Sequence, residues 1–246
     1  MALWAFVRFC YKNYLRQHRY LRELIAIVIF IILFEGFLTS DRLDPHIWIV
    51  FAVFAIILNL LTAPSLFFFE KGNTLYFLLG KPHGRRNLFL AKVVLIVLVD
   101  LFWVALFASI YGLRFLAGDY FLMMPVKLLG IALILLLSTL LLSLAYTIRP
   151  QLSWLIFLLL VFGCIVPKAR LLPITSLFQS TKLLAFLLPP FAEMADLLVS
   201  LSPEGWQPGF LQMGLGAQIG FLGLALAQIA LLFYLSGKRM LRKDFV

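Results

Sequence analysis

The sequence predicts an all-α integral membrane protein with six transmembrane helices, and three observations carry that prediction. Of its 246 residues, 63% are hydrophobic and 13% charged, with a mean hydropathy of +1.04. One globular core of this length cannot hide that much apolar surface from water. Six apolar stretches recur along the chain, at about 24–38, 47–66, 90–113, 122–148, 152–166 and 213–236. Most approach the roughly 20 residues that a helix needs to cross a bilayer. Threaded alternately through a membrane, they leave 15 of the 21 Lys and Arg on one side, the expected bias of cytoplasmic loops. Both termini are therefore expected in the cytoplasm, in a multi-pass chain of the cell's inner membrane forming one domain over residues 1–246.

Residues 1–22 come before the first span. Leu3, Phe6, Val7, Cys10, Tyr11 and Tyr14 follow helical spacing along one face, while Arg8, Lys12, Arg16 and Arg19 gather on another. That pattern predicts a helix in the headgroup plane, its cations toward lipid phosphate. A merely basic flank anchoring the first span is the plainer reading. Some twenty mixed residues ahead of the apolar run, with no small-residue cleavage site after it, argue against a removable signal.

The second span ends at Phe67 to Phe69, and residues 67–92 form a basic inward connection. Thr74 to Leu79 is an amphipathic piece, broken by Gly80, Pro82 and Gly84 before Arg85 and Arg86 meet the headgroups. A minimal connector needs neither its length nor its apolar piece. The fifth span is short and bounded by Pro150 and Pro167, so it should stop early. The external segment 167–212 carries apolar runs at 182–188 and 191–201, too short to cross and separated by Pro189-Pro190. Two short re-entrant helices on the outer leaflet are expected there.

Chemistry is sparse. Cys10 and Cys164 read as packing residues. His18, His46 and His83 fall in three separate segments, which disfavours a metal site. The acids are scattered; the nearest helical pair, Glu193 and Asp196, has no histidine beside it, so no catalytic constellation is expected. The net charge of +10 follows from topology better than from nucleic-acid binding. The phosphate-cradling G-x-x-x-x-G-K-[ST] is missing: Gly80-Lys81 precedes proline and Gly237-Lys238 precedes arginine. Asp100 lies about two turns inside the third span, where a charge must face the bundle or a wet cavity. It reads as helix packing or as part of a translocation route, and Asn59 in the second span reads as an interhelical hydrogen bond. Glu35, near the end of the first span, reaches the interface. The 25 phenylalanines fit a ring-lined cavity and ordinary lipid-facing packing equally well.

The order Glu70, Thr74-Leu75, Leu78-Leu79, Pro82, Arg85-Arg86, Leu88 and Ala91-Lys92 resembles the signature after the second span of ABC-2 type transporter permeases. "LLPPFAEMADLL" (187–198) is similar to a proline-then-acid segment in the same family. The resemblance covers nearly the whole chain, through degenerate motifs. It implies that 67–92 holds a coupling helix docking in a separate cytoplasmic ABC ATPase subunit, with Thr74 to Leu79 as the docked face and Glu70, Arg85 and Arg86 as polar contacts. It also implies that ATP and Mg²⁺ bind that partner, and that this chain is no enzyme. A second permease copy or a paralogue, surrounded by membrane lipids, would complete the pathway, and export is the implied direction. An ion-coupled secondary transporter or a non-transporting scaffold is the alternative, although Asp100 is the only ionisable group the sequence puts at mid-membrane.

Overall fold

A computed structural model describes residues 2–18, 20–38, 44–68, 84–116, 118–148, 153–171 and 186–242. Among these, the chain is helical apart from short turns and one two-residue hairpin. Helix α1 (Ala2–Arg16) turns sharply through His18, whose φ of 51° is left-handed, into α2 (Leu21–Leu38). Phe6, Val7, Cys10 and Tyr14 of α1 are buried and Leu3 is partly so, but Tyr11 is exposed, so the apolar face is narrower than its sequence suggests.

Helix α3 (Ile47–Phe68) starts from Asp44, whose side chain accepts the His46 N–H at 2.8 Å while its carbonyl accepts the Ile47 N–H. Pro64 sits inside α3 and cannot donate to the ladder; nearby, the Ser65 hydroxyl bonds the Thr62 carbonyl at 2.7 Å. Helix α4 (Gly84–Phe115) ends at Leu116 in the left-handed region, and α5 (Gly118–Ile148) follows at once. Their closeness depends on Gly112, where a Cβ would come within 2.6 Å of the Tyr120 ring. Then come α6 (Ser153–Ile165), the single turn α7 (Lys168–Leu171), α8 (Phe191–Ser200), the antiparallel pair β1 (Leu201–Ser202) and β2 (Gly205–Trp206), and α9 (Leu215–Arg242).

Helix α3 is the axis of the bundle, with 67% of its apolar window buried against 17% for α9 at the periphery. It packs on α5, α4, α2 and α8; α1 packs on α4, and α9 on α5. Phe30 stacks on Phe54 at 4.0 Å, and Phe107 meets both edge-on, sealing α2, α3 and α4 together. On α4 the buried stripe Asp100, Val104, Ala108 and Tyr111 is backed by an exposed one, Leu98, Phe102, Leu106, Ile110 and Leu113. A helix apolar on both faces is at home only when its outside meets lipid.

Among the described residues four helices, α3, α4, α5 and α9, are long and apolar enough to cross a membrane. The other two expected spans differ from these. Helix α2 carries Arg22, Glu23 and Glu35 within eighteen residues and breaks helical geometry at Phe34 (φ −119°, ψ 17°). Helix α6 has 13 residues, about 20 Å at 1.5 Å per residue, against a hydrocarbon core of about 30 Å. It ends just before Pro167, as that proline requires. Of the two short helices expected in 167–212, α8 is present from Phe191, while most of the 182–188 run lies outside the described residues.

Candidate functional site

The centre of the bundle holds a polar network that joins five helices. Helical spacing aims its members inward: Asn59 and Thr62 share one face of α3, and Asp100 and Trp103 one face of α4. Asn59 Nδ2 donates to Asp100 Oδ2 at 2.9 Å and to Thr139 Oγ1 of α5 at 2.7 Å. Its Oδ1 faces the Ser138 hydroxyl at 3.0 Å, a hydrogen shared with the Leu135 carbonyl at the same distance. With its NH₂ toward Asp100 and Thr139, the amide leaves its Oδ1 to accept from Ser138.

One turn along α4, the Trp103 indole donates to Glu23 Oε2 at 2.6 Å, and the Tyr14 hydroxyl of α1 donates to Glu23 Oε1. Glu23 thereby ties α1, α2 and α4. Glu23 and Asp100 are 1% and 0% exposed, and among the described residues neither has a basic partner in an ion pair. Two carboxylates without a counter-cation are costly in hydrocarbon and depend on their hydrogen bonds. Asp100 Oδ1 and the Thr62 hydroxyl, both buried, have no bond of normal geometry. Burial first, then the Glu23 carboxylate accepting its proton, holds the Tyr14 phenol far above its usual range, so it stays a donor.

A second polar centre lies where α7, α8 and the hairpin meet. Lys168 Nζ donates to the Pro189 carbonyl at 2.7 Å and stands 3.6 Å from Glu193 Oε2, while the Lys168 backbone N–H bonds Glu193 Oε1. Burial pushes the Lys168 ammonium below its ordinary value, and the Glu193 carboxylate opposes that shift. Asp196 accepts the Leu211 N–H at 2.8 Å and Gln218 Nε2 at 2.9 Å, and Gln218 Oε1 accepts the Trp206 indole at 2.7 Å. These bonds anchor the hairpin and the start of α9 to α8.

The structure brings Asn59 and Asp100 together in direct contact. Arg85 and Arg86 lie in the first turn of α4, which begins inside the stretch expected as a loop. With Phe89, Phe233 and Lys238 they line a cavity of about 430 Å³. Glu70, Thr74, Leu75, Leu78, Leu79 and Pro82 lie outside the described residues. Glu23, Trp103, Ser138 and Thr139 escaped sequence reasoning, and Tyr14 was read only as part of an apolar face, although Glu23 at the threshold of an apolar run was a visible signal.

Fold and network together define a membrane-embedded helical protein with a polar seam through its bundle. No protein-family model matches the chain, and no curated protein matches it.

Proposed function

We propose that this chain is the transmembrane subunit of an ABC-2 type transporter, driven by a separate cytoplasmic ATPase that binds ATP and Mg²⁺. The observation that carries the reading is the ordered set Glu70, Thr74-Leu75, Leu78-Leu79, Pro82, Arg85-Arg86 and Ala91-Lys92, which in the sequence follows one long apolar helix and runs into the first turns of the next.

Three physical features support it. A push on Arg85 and Arg86 acts on one unbroken 32-residue helix, α4, which carries Asp100 and Trp103. Those side chains bond α3 and α2, and Asn59 passes the link to α5, so displacement of α4 is shared across the bundle rather than absorbed locally. Helix α1 is joined to the same α4 through Tyr14 and Glu23. On this reading both termini are cytoplasmic, two copies or a copy and a paralogue form the pathway among membrane lipids, and transport is outward.

One observation favours the second reading, an ion-coupled carrier: Glu23 joins Asp100 as a second buried carboxylate of the seam, and carriers of that kind bury several. Co-purification separates the two. A tagged chain drawn from native membranes in mild detergent should bring an ATP-binding protein in a one-to-one ratio, with ATPase activity. Absence of that protein, together with uptake into proteoliposomes driven by a proton gradient, would give the second reading the place of the first.

A further inference from the structure

At the end of the bundle opposite Arg85 and Lys238, a cavity of about 550 Å³ opens between α3, α5 and the 201–210 hairpin. Tyr120, Met123 and Lys127 line it from α5, at spacings of three and four that put them on one helix face. Trp48 forms the wall across from them, stacked on Tyr120 with ring centroids 5.3 Å apart.

Lys127 is the unusual member. Only 6% of it is exposed, and its ammonium lies 5.3 Å from the Trp48 ring centroid. A ring face partly offsets the charge, but an ammonium has three N–H donors that a ring does not satisfy. Among the described residues, no side-chain or backbone oxygen accepts a hydrogen bond from it and no carboxylate pairs with it. The acids of the same cavity are engaged or in solvent. Asp44 Oδ1 accepts from the His46 backbone N–H at 2.8 Å and stands 2.9 Å from His46 Nδ1, Glu204 accepts from Gln207, and Asp119 is exposed.

Lysines within apolar helices are costly unless they snorkel or are paired. This one does neither, and instead faces a cavity large enough for a small molecule. We propose that the cavity binds an oxyanion, a carboxylate or a phosphate group, with the Lys127 ammonium as its counter-ion and Trp48 as the wall that excludes water from the pair. The lowered water content strengthens the attraction relative to an exposed pair. This site is independent of the transporter reading, since it needs neither an ATPase nor a transport direction.

Thermal unfolding of the purified chain in neutral detergent tests it, with inorganic phosphate, acetate or phosphatidylglycerol added against sodium chloride at equal ionic strength. A ligand that binds only the folded form raises the midpoint saturably, by roughly 3 °C once it is well above its dissociation constant. The wild type should show that rise with at least one of the three, and the arm that responds identifies a free anion or a lipid headgroup as the source. Lys127→Met should abolish the rise, and Lys127→Arg should keep it. Should Lys127→Met fail to fold, tryptophan emission replaces it: the same ligand should shift the emission of the wild type and not of Trp48→Phe. No saturable rise with any of the three, an equal rise in Lys127→Met, or an undiminished emission shift in Trp48→Phe would overturn the proposal.

Discussion

Asn59 is the residue whose removal tests the polar seam most sharply. It makes three contacts, of 2.9, 2.7 and 3.0 Å, with Asp100, Thr139 and Ser138 on two neighbouring helices. Asn59→Leu keeps the branching and the number of side-chain heavy atoms and removes all three. Interhelical hydrogen bonds in membranes average about 0.6 kcal/mol, so the bonds themselves account for roughly 2 kcal/mol. A second consequence falls on Asp100, whose Oδ1 has no bond of normal geometry and whose Oδ2 would lose its donor, adding roughly 1–3 kcal/mol for a stranded buried acceptor. The total is about 3–5 kcal/mol. The double variant Asn59→Leu/Asp100→Leu removes the stranded group as well, and should be more stable than Asn59→Leu alone, with a coupling of about 1.5 kcal/mol or more. Reversible unfolding in mixed micelles, followed by circular dichroism, measures all four corners of the cycle. A single variant costing less than about 0.5 kcal/mol, or a cycle that adds, would refute the argument that Asp100 depends on Asn59.

Three further outcomes follow from the geometry. Tyr14→Phe removes the donor to Glu23 Oε1 and loosens α1, so the buried Cys10 should react faster with maleimide than in the wild type; an unchanged rate would contradict the role given to Tyr14. Gly209→Ala would drive a Cβ to 2.7 Å from both Asp196 Cγ and Ser200 Oγ and should cost about 1–3 kcal/mol, whereas Gly214→Ala, with open space around it, should cost far less. Lys168 has a folded pKa below its unfolded one. Between those two values the unfolded chain binds more protons, so its contribution to stability rises with pH toward the ordinary lysine value of about 10.4. Unfolding midpoints from pH 7 upward should climb less steeply in Lys168→Met, and identical slopes would show that Lys168 does not titrate there.

Hydropathy made the four long helices legible, because a bilayer imposes a length that individual residues do not obscure. Helix α3 runs from Ile47 to Phe68 where 47–66 was expected. Helix α4 starts six residues ahead of its expected span, since Arg85 and Arg86 end an apolar window yet are good helix formers. The seam was mostly illegible. Asn59 meets Ser138 and Thr139 across 79 and 80 residues, and Trp103 meets Glu23 across 80; averaged hydropathy dissolves single polar residues, and spacing within one helix cannot say which neighbour it faces. Glu23 was one of the scattered acids, one residue ahead of the apolar run. Its burial comes from α1 folding back over α4, which only tertiary packing decides. The enclosure of Lys127 likewise depends on Trp48, a residue of another helix, α3.

Photo-crosslinking from position 75 is the most direct test of the proposed motor coupling. With a photoreactive amino acid replacing Leu75, irradiation of native membranes should yield one dominant adduct, with an ATP-binding polypeptide. Formation of no protein adduct, or labelling of the same position by an impermeant reagent added outside intact cells, would contradict the assignment.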